Sequence, residues 1–178
     1  MRNIDFKRFD GGITLTCDPH RGIWAASTLL RGGRVIRTGG QLPTTASAHT
    51  LLVAGLTATL MDVSKTDVAR ILDMSGNTIT RPRIIIGVKN SSFADALRGM
   101  MKNDQAIKAA MPLRCGRNFL RELARQLARF EIMLASIDAE DDMAAINLRR
   151  WVRARLPDPK LYATIPPALS AAVVGCVV

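Results

Sequence analysis

The segment from Ile13 to Leu42 constrains the fold more than any other part of the chain. Ile13, Leu15 and Cys17 alternate with Thr14 and Thr16, and Asp18-Pro19 stops the run. Gly22 to Leu30 resumes it, Arg31-Gly32-Gly33-Arg34 turns the chain, and Val35-Ile36-Arg37-Thr38 leads to Gly39-Gly40. Period-two patterning closed by glycine-containing turns predicts a three-strand antiparallel meander. Trp24, set among small residues, belongs to its core.

Beyond Pro43 the pattern changes. Thr44, Thr45 or Ser47 can cap a helix in which Leu51, Leu52, Gly55, Leu56, Thr59 and Leu60 recur at helical spacing. Thr66–Met74 reads as a short second helix. Arg83-Ile84-Ile85-Ile86-Gly87-Val88 is a continuous run of the kind buried on both faces of a sheet. Asn90-Ser91-Ser92 caps a helix to about Met101, and another runs from about Cys115 to Arg129. Phe130–Ile137 is a strand, and Asp138–Asp142 opens a final helix to about Arg155. Pro157 and Pro159 close a domain of residues 1–160. The apolar tail, 161–178, can add a strand, form a dimer contact or stay disordered. A meander followed by alternating helices and strands predicts an α/β fold with a mixed sheet flanked by helices.

Hydrophobic residues make up 48% of the 178 residues and aromatics only 4%, so aliphatic side chains must fill the core. The formal net charge is +10, from 25 Lys+Arg against 15 Asp+Glu, and Arg outnumbers Lys. Guanidinium groups suit bidentate phosphate contact, so the balance points to nucleic acid. Cys17, Cys115 and Cys176 are far apart, and His20 and His49 lack metal-ligand spacing, which fits reduced thiols in the cytoplasm. No signal-peptide core follows the charged first residues, and no apolar run approaches the roughly 20 residues that span a bilayer. The expectation is a cytoplasmic protein with no membrane partner.

The order of elements, from about Ile4 to Arg155, resembles the ribonuclease H-like superfamily, which includes ribonuclease H and Holliday-junction resolvases. Phe9-Asp10-Gly11-Gly12 is similar to the ribonuclease H phrase of Asp, Gly and a small residue, and Asp18-Pro19 to the Asp-Pro of resolvases. The cleaner strand before Asp18 favours it, and loop length favours Asp10. Asp138-Ala139-Glu140-Asp141 is similar to the closing acidic motif of resolvases. Residues three apart share a helix face, so Asp138 and Asp141 can aim at one ion. Acids at a helix start also stabilise it through the backbone dipole. The resemblance implies a ribonuclease H-like mixed sheet, with a three-strand meander plus parallel strands. It implies catalytic residues Asp18 or Asp10, Asp138 and Asp141, and a metal held by Asp18, Asp138 and Asp141.

The middle of that carboxylate set is absent. Ala48-His49 stands where the family places Glu on the first helix, and Asn90 where it places Asp after the fourth strand. No acid lies within Ile86–Val88, where the resolvase pattern has one. Mg²⁺ wants hard anionic oxygens, so neutral Asn and His are poor replacements. His49 has three readings: a cap, a satisfied polar group or a catalyst.

Arg114, Arg117, Arg121, Arg125 and Arg129 recur at spacings of 3, 4, 4 and 4. On a helix they span an arc of about 120° and a length of about 22 Å. Phe119, Leu123 and Leu127 are expected opposite them, with Leu120 at the border. Arg149 and Arg153 share a face in a second basic group that includes Arg150, Arg155 and Lys160. Trp151 belongs to the core or stacks on a base.

Three functions follow. The first is a nucleic-acid-binding protein on a degenerate scaffold, holding duplex or hybrid by its phosphates and needing no cofactor. Five such contacts predict a log–log salt slope of roughly −4.5. The second is a divergent nuclease using Mg²⁺ or Mn²⁺. The third is a protein-interaction module, with homo-oligomerisation through the tail.

Overall fold

A computed structural model describes residues 8–66, 81–102, 115–136, 147, 148, 150, 151 and 154, with 136 and 174–177 described by their backbone alone. Six strands form one sheet: β1 (Gly11–Asp18), β2 (Ile23–Leu30), β3 (Val35–Gln41), β4 (Arg83–Val88), β5 (Glu131–Ser136) and β6 (Val174–Val177). Their order across the sheet is β5-β4-β1-β2-β3-β6. β1, β2 and β3 form the antiparallel meander, while β4 and β5 lie parallel to β1. The described α-helices are α1 (Ala48–Val63), α2 (Ser91–Lys102) and α3 (Arg117–Leu127). Residues 147, 148, 150 and 151 are helical as well. The class is therefore α/β, a mixed sheet of meander plus parallel strands flanked by helices. The arrangement is compatible with a nuclease-like α/β fold. The expected helix at Thr66–Met74 lies almost wholly outside the described residues. The apolar tail contributes β6, which pairs antiparallel with β3.

Local chemistry explains the boundaries. Pro19 opens a single 3₁₀ turn after Asp18, and Gly22 ends it at φ 63. A Cβ on Gly22 would sit 2.1 Å from the Leu42 carbonyl oxygen, which leaves room only for glycine. Gly32 and Gly33, at φ 98 and 86, turn β2 into β3, and Leu30 N–H donates to the Arg34 carbonyl at 2.8 Å. Ser47 caps α1 by accepting from Thr50 N–H at 3.1 Å. Asn90 caps α2 in the same way, its Oδ1 accepting from Phe93 N–H at 2.8 Å.

The two faces of the sheet differ. Ile13, Leu15, Ala26, Leu30, Ile36, Ile84, Ile86 and Val88 join α1, α2 and α3 in the main core. On the other face Ile23 and Ala25 pack with Leu148, and Trp151 lies against them. Ile84, Ile85 and Ile86 are all fully buried, as a run covered on both sides requires. Trp24 is 3% exposed in a slot made by two glycines. A Cβ on Gly40, its cross-strand partner, would come within 2.8 Å of the indole, and one on Gly55 of α1 within 2.9 Å. Burying an aromatic of this size is worth roughly 4–6 kcal/mol of transfer free energy, which is why the helix closes so tightly here.

One expected packing detail is corrected. Leu120, Leu123 and Leu127 are buried, whereas Phe119 is 45% exposed. The buried arc of α3 centres on the i, i+3, i+7 leucines. Phe119 falls at its edge, in the first turn.

Candidate nucleic-acid interface

In open α/β sheets, ligands bind outside the carboxyl ends of the parallel strands, where the chain leaves for the helices. Here that end is formed by the last residues of β1 and β4. The register places Leu15 beside Val88, so Thr16, Cys17 and Asp18 extend past the β4 strand towards Lys89 and Asn90. A cleft of about 260 Å³ opens between them, lined by Leu15, Thr16, Cys17, Leu52, Val88, Lys89 and Asn90. α1 starts over this end, and Cys17 Sγ lies 3.9 Å from the Ala48 carbonyl oxygen.

His49 and Asn90, from α1 and the start of α2, meet here. His49 Nε2 lies 2.8 Å from Ser92 Oγ. Ser92 Oγ donates to Asn90 Oδ1 at 2.8 Å, and that same oxygen accepts from Phe93 N–H. A hydroxyl has one proton, so if Ser92 gives it to Asn90, His49 Nε2–H is the donor to Ser92. The result is a directed chain, His49 to Ser92 to Asn90, that ties α1 to the start of α2. His49 and Ser92 are 43 residues apart, so no local sequence signal joins them.

Asp10 and Asp18 lie at opposite ends of β1, separated by about 26 Å at 3.3 Å per residue. They cannot serve one ion. Asp10 holds strand ends together: its Oδ2 accepts from Arg83 N–H at 2.9 Å, and its own N–H donates to the Arg83 carbonyl at 2.8 Å. Its carbonyl accepts from Arg31 N–H at 2.8 Å, and Arg31 Nη1 lies 3.8 Å from its Oδ1. Asp138, Asp141, Arg114, Arg149 and Arg153 lie outside the residues whose side chains are described. Among the described residues, no three His, Cys, Asp or Glu side chains converge to hold a metal ion. The donors at the β1–β4 end, His49 and Asn90, do not fit a two-ion Mg²⁺ set, which needs bridging anionic oxygens.

Arg117, Arg121 and Arg125 of the arginine row lie on α3, and Arg129 follows in the turn just past its end. Arg117, Arg121, Arg125 and Arg129 are all exposed, while Leu120, Leu123, Gln126 and Leu127 are buried. At 100° per residue, the middle of the arc of Arg117, Arg121 and Arg125 lies about 160° from the middle of the buried arc of Leu120, Leu123, Gln126 and Leu127. Arg117 to Arg125 therefore covers about 12 Å. The amino end of α3 adjoins α1, where the Thr50 hydroxyl bonds to the Cys115 thiol. Burial raises the Cys115 thiol above its ordinary value, outweighing the hydrogen bonds from Thr50 and the Gly116 backbone that lower it. The row thus begins at the end of α1 that carries His49 and extends towards Arg83 and Glu131 at the other. Arg83 Nε donates to Glu131 Oε2 at 3.0 Å.

No described helix is long and apolar enough to cross a membrane. No family model matches the chain, and no curated protein matches it.

Proposed function

We propose that the chain is a nucleic-acid-binding protein on a degenerate ribonuclease H-like scaffold. It holds duplex or hybrid by backbone phosphates, in the cytoplasm, through the arginine face of α3. The observation that carries this reading is that face: three exposed guanidinium groups in line on α3, with a fourth, Arg129, in the turn that follows, opposite a leucine seam that fixes the helix to the domain. One duplex strand carries a phosphate about every 3.4 Å along the axis, so the rigid row of about 12 Å from Arg117 to Arg125 spans several. His49 and Asn90, which stand where the resemblance places acids, are linked through Ser92 by hydrogen bonds, and these neutral groups suit phosphate binding better than a two-ion site. Full engagement of the four arginines gives a log–log salt slope of about −3.6 on duplex DNA. Fluorescence anisotropy of a labelled duplex from 50 to 300 mM salt, about a sixfold range, measures it, and a slope near zero removes the reading.

A second reading, a divergent nuclease, has one observation in its favour. Ile23, the cross-strand partner of Asp18, packs against Leu148. That contact brings the helix downstream of Asp138 and Asp141 to the Asp18 end of the sheet, where the three acids would hold Mg²⁺ or Mn²⁺. Metal-dependent cleavage of hybrid or junction substrates, abolished by Asp18→Asn with Asp141→Asn, would establish it. Cleavage that survives both substitutions would exclude these ligands.

A further inference from the structure

The three arginines of α3 and Arg129 just past its end are not equivalent, and Glu122 divides them. Glu122 Oε2 accepts from Arg125 Nη1 at 2.7 Å, and Glu122 Oε1 accepts from Gln126 Nε2 at 2.7 Å. Gln126 is only 5% exposed, so it fixes the carboxylate from the core side. Arg129 Nη1 lies 3.4 Å from Gln126 Oε1, a long contact that ends the chain. Glu122, Arg125, Gln126 and Arg129 thus form one hydrogen-bonded ridge along the carboxyl half of the helix and the turn after it. Arg117 and Arg121 make no ion pair among the described residues.

An exposed ion pair is worth little as stability, and Arg125 is 73% exposed in its side chain. Its consequence is for charge. A carboxylate held in place by a buried amide cannot swing away when a phosphate approaches, and like charges repel at short range. The amino half presents two positive charges. The carboxyl half presents two, less the fixed negative charge of Glu122. The amino half also lies beside the α1 end of the sheet, because Cys115 meets Thr50 just before α3 begins.

We infer that Arg117 and Arg121 are the phosphate-contacting pair of α3, and that Glu122 withholds Arg125 and Arg129 from the duplex backbone. This rests on the proposed function and sharpens it: nucleic acid crosses the amino half of α3, at the cleft end of the molecule. Glu122 is then a specificity residue that limits the footprint.

The test is a set of salt titrations with one labelled duplex, using the full chain and variants checked for unchanged melting. Arg117→Ala and Arg121→Ala each make the slope shallower by about 0.9, and Arg125→Ala leaves it unchanged. Glu122→Gln keeps the shape and a hydrogen-bonding amide, releases Arg125 and Arg129, and steepens the slope by about 0.9 to 1.8. Equal losses from Arg125→Ala and Arg121→Ala, or a Glu122→Gln slope no steeper than the parent's, overturn this division of labour while the proposed function stands. A parent slope near zero overturns both.

Discussion

The two ends of β1 look alike in the sequence and do different work in the fold. Each carries an aspartate beside a turn, Asp10 before Gly11-Gly12 and Asp18 before Pro19. At the amino end, Asp10 meets the Arg83 backbone and the Arg31 side chain, and its carboxylate fastens β4 to the hairpin. At the carboxyl end, the parallel strands stop and the chain departs into helices, leaving a cleft edged by Lys89 and Asn90. Whether a carboxylate is structural depends on which backbone amides lie within reach, and that is a property of the sheet order. The residues around the aspartate do not reveal it.

Substitutions can break or sharpen this contrast. The largest effect is expected at the Asp18 corner. Gly22→Ala combines a left-handed φ with a Cβ 2.1 Å from the Leu42 carbonyl, so it should cost about 3 kcal/mol or more. Gly32→Ala in the hairpin turn has a φ of +98 but open space around it, and should cost only about 1 kcal/mol. Urea midpoints compare the two, and similar losses would erase the distinction between a locked corner and an open turn.

Asp10→Ala comes next, at about 1–2 kcal/mol, because it removes a charge-assisted hydrogen bond to the Arg83 amide. Asp10→Asn should recover much of that loss, since it keeps an acceptor. A neutral outcome for Asp10→Ala in chemical denaturation would free Asp10 from its fastening role. Asn90→Ala, at the other end, should cost about 1 kcal/mol through loss of the α2 cap. Thermal melting of both variants orders the two ends directly.

The smallest effect concerns Cys115. Its folded thiol titrates above the ordinary value of 9.0 because burial disfavours the thiolate. The unfolded chain ionises first, so this contribution to stability is complete below about pH 9 and is lost as pH rises through the folded value. Cys115→Ser should flatten the fall of stability with pH above about 9, and an unchanged curve would contradict the burial.

Much of the fold was legible because its signals are local. The alternation from Ile13 to Cys17, the paired glycines at 32 and 33, and the triple isoleucine of β4 each specify their element through side-chain period or turn chemistry. Asn90 was readable as a cap for the same reason, and Ser47 as one of three candidates with Thr44 and Thr45. Leu120 and Phe119 exchanged places because angular position alone does not say where a helix meets its neighbour. The Trp24 slot needs Gly40 and Gly55 from two other elements. The contact between His49 and Ser92 needs α1 and α2 to converge on one sheet end. The arginine row was legible from its spacing, while its division by Glu122 depends on the rotamers of Gln126 and Arg125.

The central proposal is that Arg117 and Arg121 grip polyphosphate by charge alone. The most direct test is duplex binding in a chelator, titrated with monovalent salt and repeated with Mg²⁺ at a fixed ionic strength. Affinity should persist without the divalent ion and fall with a log–log slope of about −1.8 or steeper, two contacts being the minimum from Arg117 and Arg121. Binding that needs Mg²⁺, or that ignores salt, would contradict it.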